Sequence, residues 1–195
     1  MKLRFVTSNQ GKVKEAQARL ASLGIEVVGN ARDLEEIQAD TIEAVARHKA
    51  RQLLGKIRPP FFIEDAGLHI DALRGFPATY SSFVFRTIGV DGILRLLEGK
   101  TGKERRAYFL AVIAYVDVSR RVRIFTGRAD GHIADAAHGK NGFGFDPIFI
   151  PDRSTRTFAE LDADEKGEVS HRGHALDQLA RHLSGRKRPV VGKKP

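Results

Sequence analysis

The sequence contains no cysteine among its 195 residues. That absence excludes disulfide bridges, thiolate zinc sites and cysteine nucleophiles, and it is compatible with a reducing cytoplasm. No stretch approaches the roughly 18 consecutive apolar residues of a membrane span, and residues 1–4 lead into a short strand-like run rather than a signal-peptide core. We therefore expect a cytoplasmic protein. A hydrophobic content of 42% is enough for a sizeable core without disulfides or a structural metal.

Positive charge is concentrated at the carboxyl end. The formal net charge is +9, of which five charges lie in residues 186–195, so residues 1–185 carry +4. We expect residues 1–185 to form one α/β domain and residues 186–195 to be a flexible basic tail. Because the folded part is only mildly basic, we do not expect specific nucleic-acid binding.

Apolar periodicity predicts alternating strands and helices with one clear hairpin, which is typical of a mixed α/β or α+β sheet. A first helix should follow the loop at residues 7–11 and end before Gly24. The other helices are predicted at residues 41–55, 79–88, 91–98 and 171–183. The strands are predicted at residues 3–6, 26–28, 61–63, 107–116, 121–126 and 147–150.

The acidic pair Glu64-Asp65 follows the predicted buried strand at residues 61–63 directly. In an extended backbone the two carboxylates face opposite ways, so one of them can enter a cleft, where it can hold Mg²⁺ or accept a proton from water. Solvation of a strand end is the alternative interpretation.

Cations occur at two positions that suit phosphate binding. Lys49 falls within the apolar stripe of the second helix, where it either snorkels to solvent or faces an anion. Thr7, Asn9 and Lys12 surround the start of the first helix, where free N–H groups and the helix dipole favour anions. An ordinary capped turn with a surface lysine is the alternative there.

Two further segments are candidates for contact with a base. Ser170 is a predicted N-cap, yet His171 and Arg172 follow it in the first helical turn, where cations are disfavoured unless negative charge is near. Phe143 lies between Gly142 and Gly144, and Phe145 follows Gly144, in the loop before residue 147; this arrangement suits base stacking or a hydrophobic plug.

In this order, the segments resemble the inosine triphosphate pyrophosphatase family, the HAM1-like pyrophosphatases of non-canonical purine nucleoside triphosphates. The resemblance covers nearly the whole chain. It is carried by the combination of Thr7-x-Asn9-x-x-Lys12, Glu36-Ile37-Gln38, Glu64-Asp65-x-Gly67-Leu68, Gly75-Phe76-Pro77-x-x-Tyr80-Ser81, Gly142-Phe143-Gly144-Phe145-Asp146-Pro147 and Ser170-His171-Arg172.

The resemblance implies an elongated mixed β-sheet with flanking helices and two lobes around a central cleft, usually in a homodimer. It implies cleavage of ITP, dITP or XTP between the α and β phosphates, with Mg²⁺ held by Glu36 and Asp65. Asp65 would also be the catalytic base. The triphosphate would bind Thr7, Ser8, Asn9, Lys12 and Lys49. The base and the rest of the substrate would bind Ala66, Phe143, Gly144, Phe145, Asp146, Lys166, Ser170, His171 and Arg172.

One position departs from the family pattern, because Ala78 stands where a glycine is usual. If this position requires a positive φ, Ala78 is strained; otherwise the loop takes another conformation. For the chemistry we expect direct hydrolysis, with donors such as Arg172 or backbone N–H groups selecting a 6-keto base. A nucleotide- or RNA-binding module without catalysis is the competing interpretation.

Overall fold

A computed structural model describes residues 1–185; the predicted basic tail lies outside the described residues. One mixed sheet has the strand order β2-β1-β3-β4-β5-β6. β1 runs parallel to β2 and β3, and the remaining pairs are antiparallel. The strands are β1 (Lys2–Phe5), β2 (Glu26–Gly29), β3 (Phe61–Ile70), β4 (Arg106–Val116), β5 (Val122–Ile133) and β6 (Phe149–Pro151). The predicted α/β class is confirmed.

Six α-helices flank this sheet within residues 1–185. They are α1 (Gln10–Ala21), α2 (Ile42–Leu53), α3 (Ser81–Thr87), α4 (Gly89–Leu96), α5 (Ala163–Val169) and α6 (His171–Leu183). None of the described helices is both long and apolar enough to cross a membrane. Ser170 caps α6 as predicted, because its hydroxyl accepts a hydrogen bond from the N–H of Gly173 at 3.1 Å.

The buried apolar side chains form three clusters that lie at different positions along the long strands of the sheet. At the β1–β2 end, one apolar cluster lies between the sheet and α1 with α6, and a second lies on the opposite face beneath α2. A third cluster occupies the far ends of β3, β4 and β5 beneath α3 and α4. Glu64 and Asp65 therefore lie midway between cores at the two ends of β3.

The predicted bounds of β3, β5 and β6 were wrong. β3 does not end at Glu64-Asp65 but continues to Ile70, with Asp65 paired to Val112 of β4. Glu64 and Asp65 suggested a strand end because the ion-pair partners that allow acids in the middle of a strand come from segments distant in the sequence. β5 extends to Ile133, and a 3-10 turn precedes the short β6. Helix α5 was not predicted, although Asp162 and Glu165 form a capping box at its start.

Candidate active site

The middle of β3 sends its two carboxylates to opposite faces of the sheet, as the extended backbone predicts. Glu64 faces α1 and α6 and meets Lys12 and Arg172. Asp65 faces α2 and meets Lys49. One dipeptide thus contributes to two adjoining ion-pair groups, and strand-end solvation does not describe it.

Glu64 is a buried anion held between two cations. Its Oε2 lies 2.8 Å from the Lys12 ammonium, and its Oε1 accepts from Arg172 at 3.2 Å. Burial by itself would raise the pKa of Glu64, but the charges of Arg172 and Lys12 outweigh it and lower the pKa to about 2. Glu64 is therefore ionised at neutral pH.

Asp65, Lys49 and Glu36 form a second group on the α2 face. The Lys49 ammonium donates to Asp65 Oδ1 and to Glu36 Oε1, whereas Asp65 Oδ2 is buried and has no hydrogen-bond partner. Burial raises the pKa of Asp65, opposed by the charges of Lys49 and Lys12. Because the Lys49 side chain is only 12% exposed and is paired, it does not snorkel to solvent.

The loop before α1 is ordered by its own side chains. Asn9 is the N-cap of α1, since its Oδ1 accepts from the N–H of Lys12 at 3.2 Å. The Asn9 N–H donates to Thr7 Oγ1 at 3.1 Å, and Ser8 between them is exposed. The loop places Lys12 next to β3, where its ammonium also donates to the Glu64 carbonyl oxygen at 3.2 Å.

A third charged group joins α1 to α5 and α6. Lys166 donates to Glu15 at 2.8 Å and to Asp146 at 2.7 Å, and Arg172 donates to Glu15 at 2.7 Å. Both cations are almost completely buried. Burial raises the pKa of Asp146 despite Lys166. The negative charge that Arg172 requires in the first turn of α6 thus comes from Glu15 and Glu64.

The two aromatic rings of the glycine-rich loop lie in different surroundings. The Phe143 ring lies 5.0 Å from the Lys166 ammonium and 5.2 Å from the Arg172 guanidinium carbon. By contrast, Phe145 is buried in the apolar cluster beneath α3 and α4, edge-on to Phe85. Phe143 is therefore the aromatic ring beside the buried cations.

Glycine is required on both sides of Phe143. The Phe143 N–H donates to an Asp146 carboxylate oxygen at 2.8 Å. Gly142 has a φ of 73°, and a Cβ there would lie 2.1 Å from the same carboxylate. Gly144 follows with a φ of 64°. The turn thus aims the Asp146 carboxylate at both Lys166 and the Phe143 backbone.

His171 is not a second cation at the start of α6. Burial and the neighbouring Arg172 hold the pKa of His171 well below its ordinary value, so its ring is neutral at pH 7. The ring stacks on Phe109 with centroids 4.5 Å apart. Ala66, two residues after Glu64 on the same face of β3, packs beside the α1–α6 apolar cluster.

Ala78 adopts the strained alternative. Its φ is 48°, a region that favours glycine. Its carbonyl oxygen lies so close to Gly67 of β3 that a Cβ on Gly67 would be 2.3 Å away. The strained turn is thereby packed against the strand that carries Asp65.

Glu15 was not among the predicted site residues, and Glu64 had no predicted role of its own. Glu15 lies three residues after Lys12, so both side chains share a face of α1, which was the available signal. Nothing local indicated its partners, because Lys166 is 151 positions away along the chain.

The sequence matches the profile of the Ham1 family over residues 3–182. A dITP/XTP pyrophosphatase of Thermococcus kodakarensis is 51% identical over 183 residues, covering 94% of this chain and 97% of that protein. Another from Pyrococcus horikoshii is 48% identical over 176 residues, covering 90% and 93%. The solved structure of the Staphylococcus aureus Ham1 protein, 30% identical, superimposes with a TM-score of 0.80 over 96% of this chain and 100% of that one. With sequence and fold agreeing over nearly its whole length, the chain belongs to the Ham1 family.

Proposed function

We propose that this chain hydrolyses the non-canonical purine nucleotides ITP, dITP and XTP to the nucleoside monophosphate and pyrophosphate, removing them from the nucleotide pool. The observation that carries the proposal is the position of Asp65, an acid with one unpartnered buried oxygen under the charges of Lys49 and Lys12. The two relatives named dITP/XTP pyrophosphatase match over at least nine-tenths of each chain, which supports the same reaction.

Lys12 and Lys49 are the proposed triphosphate-binding cations. Each ammonium group has three N–H donors. Lys49 donates to Glu36 and Asp65, whereas Lys12 donates to the Glu64 carbonyl oxygen and lies in ion-pair contact with Glu64 Oε2. At least one donor of each lysine is therefore left for a phosphate oxygen. The N–H groups at the start of α1 add to this attraction, and Thr7, Ser8 and Asn9 shape the loop around them.

Glu36 and Asp65 fit a divalent cation because their carboxylates already share one cation, the Lys49 ammonium. Within residues 1–185 no cluster of three or more His, Cys, Asp or Glu residues could hold a metal ion. Mg²⁺ is commonly held by one or two carboxylates and completed by water and substrate phosphates, and Glu36 with Asp65 would supply two carboxylates. When bound, the ion would neutralise charge developing on the phosphate oxygens.

Asp65 is the proposed base for the attacking water. Its Oδ2 has no partner in the protein, and burial raises its pKa above that of an exposed aspartate, which makes it a better proton acceptor. Water attacks a phosphorus atom, Asp65 takes its proton, and the bond between the α and β phosphates breaks. No covalent intermediate is required.

The purine is proposed to lie beside Phe143, with Lys166 and Arg172 at its edge. Inosine and xanthine present a 6-keto acceptor, whereas adenine presents an amino donor, and N–H donors are satisfied by the keto base alone. Gly144 and Asp146 shape this loop, while Ala66, Phe145, Ser170 and His171 support the pocket from β3, the core and α6.

The test is Mg²⁺-dependent release of pyrophosphate from ITP, measured with and without a chelator. Asp65→Asn should remove most turnover, whereas Asp33→Asn, the same change at an exposed loop position, should not. Near-normal turnover in Asp65→Asn would contradict the assigned role. Equal hydrolysis of ATP or GTP would contradict selection of non-canonical bases but not pyrophosphate release.

We also propose a homodimer whose interface includes the segment 76–96. Of the eleven large apolar side chains exposed within residues 1–185, six lie in this segment. They are Phe76, Tyr80, Phe83, Phe85, Ile88 and Leu96. Phe83→Glu should then reduce the mass measured by sedimentation to that of a monomer, and Val118→Glu, at an exposed position of the β4–β5 turn, should not. An unchanged mass in Phe83→Glu would contradict this interface.

The proposed substrates place the enzyme with the cytoplasmic nucleotide pool. The tail at residues 186–195 lies outside the described residues and contributes none of the proposed site residues, so we expect its deletion to leave pyrophosphate release from ITP intact. Loss of release on deletion would assign the tail a part in the reaction.

A further inference from the structure

The segment at residues 30–41 joins β2 to α2 and carries Glu36. It lies wholly within the described residues and contains no helix or strand. Its first residue is fixed to the sheet, because the N–H of Asn30 donates to a carbonyl oxygen of β1 at 2.9 Å. Near its other end, the Thr79 hydroxyl donates to the carbonyl oxygen of Ala39 at 3.1 Å. The position of Glu36 therefore depends on what holds the backbone between these two anchors.

Gln52 of α2 holds the backbone immediately before Glu36. Its Nε2 donates to the carbonyl oxygen of Glu35 at 2.7 Å, and its Oε1 accepts from the N–H of Glu35 at 3.1 Å. The side-chain amide thus satisfies both backbone polar groups of one residue, as a residue of an antiparallel strand would. Within residues 1–185, no other hydrogen bond reaches the backbone of residues 31–38.

Lys49 and Gln52 hold adjacent residues of this segment. They are three positions apart, which places both side chains on one face of α2. Lys49 donates to the side chain of Glu36, and Gln52 binds the backbone of Glu35. Leu34, the residue before, packs against the apolar cluster beneath α2. Three consecutive residues of the segment are therefore held by α2 and the core beneath it.

The ion pair with Lys49 does not by itself fix Glu36 during the proposed reaction. The same ammonium group is shared with Asp65 and is proposed to bind the triphosphate. The Glu36 side chain is 63% exposed, so burial does not hold it either. The contact made by Gln52 involves no charged group and no proposed substrate contact. It therefore remains in place whichever partner the ammonium group takes.

We propose that Gln52 is a positioning residue for the divalent cation, because by holding the backbone of Glu35 it keeps the Glu36 carboxylate where it can share the cation with Asp65. The inference rests on the proposed function, since it takes Glu36 and Asp65 as the carboxylates that bind the cation. Gln52 needs no contact of its own with the cation or the nucleotide. It reduces the conformational entropy that the segment loses on cation binding, so its effect is on cation affinity rather than on the chemical step.

Gln52→Met removes both hydrogen bonds at a similar side-chain length. Gln17→Met is the matched control, because Gln17 of α1 also binds backbone of a neighbouring segment through both ends of its amide. Its Nε2 donates to the carbonyl oxygen of Ile25 at 3.3 Å, and its Oε1 accepts from the N–H of Val27 at 2.7 Å. None of the proposed site residues lies in that segment, so loss of these bonds should affect stability without affecting the cation.

Hydrogen exchange of the metal-free protein tests the contact itself. The Glu35 N–H should be protected in wild type and in Gln17→Met. In Gln52→Met it should exchange at close to the rate of an unstructured amide. Equal protection of Glu35 in wild type and Gln52→Met would contradict the inference, and this result does not depend on any activity.

The Mg²⁺ concentration that gives half-maximal pyrophosphate release from ITP tests the consequence. We expect it to rise about tenfold in Gln52→Met, the lower end of the effect of groups that hold a metal ligand in place, with kcat at saturating Mg²⁺ near wild type. Gln17→Met should need no more Mg²⁺ than wild type. An unchanged requirement in Gln52→Met, a fall in kcat alone, or an equal rise in both variants would overturn the inference.

The wild-type measurement separates this inference from the proposal on which it rests. Wild type that releases no pyrophosphate from ITP, or releases it equally well with a chelator present, contradicts the proposed function itself. Mg²⁺-dependent release in wild type with the same Mg²⁺ requirement in Gln52→Met contradicts the role of Gln52 alone.

Discussion

Gly127 of β5 lies directly beneath the first turn of α6. A Cβ at this position would be 2.0 Å from the carbonyl oxygen of His171 and 2.4 Å from the backbone nitrogen of Ala175. Both obstructing atoms belong to the helix backbone and cannot rotate away as a side chain would. Gly127→Ala therefore requires the start of α6 to move away from the sheet by more than an ångström.

Such a displacement is costly because α6 is packed through buried Ala175, Leu176 and Leu179. Overpacking of a well-packed core costs about 1–3 kcal/mol, and a clash between two backbones belongs at the upper end, so we expect the free energy of unfolding to fall by about 3 kcal/mol. For a chain of this size, that corresponds to a melting temperature lower by about 6–12 °C. Since Arg172 is in the displaced turn, turnover of ITP should fall as well.

Thermal unfolding and ITP turnover at a temperature where the variant is fully folded are the two measurements. Gly167→Ala in α5 makes the identical substitution where an added Cβ has no neighbour within 4 Å, and helix propensity should make it stabilising by about 0.5–1 kcal/mol. If Gly127→Ala melted at the wild-type temperature, the close packing of α6 on β5 would be refuted.

Three other outcomes are expected. Ala78→Gly should relieve the strain of a φ of 48°, while the extra glycine increases the entropy of the unfolded chain and offsets part of that gain. We expect the free energy of unfolding to rise by about 0.5–1 kcal/mol in thermal unfolding. A lower melting temperature would contradict the strain. The pKa of Glu64 is lowered in the folded protein, so its contribution to the free energy of unfolding is complete above the pKa that Glu64 has in the unfolded chain and disappears as the pH falls through about 2. The free energy of unfolding, measured against pH, should therefore fall more steeply in acid for wild type than for Glu64→Gln. Parallel curves at acid pH would refute this. The pKa of Asp65 is raised in the folded protein, so the ionised carboxylate lowers the free energy of unfolding at pH values above the ordinary pKa of aspartate. Without metal, Asp65→Asn should therefore melt at a higher temperature than wild type at pH 7. A lower melting temperature would show that the ion pair of Asp65 with Lys49 stabilises the fold by more than the burial of Asp65 costs.

Much of the architecture was predictable because it depends on local signals. Asn9, Thr41 and Ser170 each accept a hydrogen bond from the N–H three residues later, which is why α1, α2 and α6 begin where the sequence predicted. The uninterrupted apolar run of β4 reflects burial near the centre of the sheet.

The candidate site was predictable in part. Sequence position singled out Lys12, Lys49, Asp65 and Arg172, and the resemblance implied their roles. The structure pairs Lys49 with Asp65, and it pairs Lys12 and Arg172 with the adjoining Glu64. The different surroundings of Phe143 and Phe145 could not be predicted, because nothing local in the loop indicates which of the two rings packs into the hydrophobic core.

The sequence alone determined where α1, α2 and α6 start and where the apolar run of β4 lies, since capping and apolar periodicity act over a few residues. Only the tertiary structure decided which acid partners which cation, placing Glu64 with Lys12 and Arg172, and Glu15 with Lys166. Those pairings join residues 52 to 151 positions apart. Burial makes each isolated charge unfavourable, so the fold alone establishes which opposite charge is near enough to compensate it.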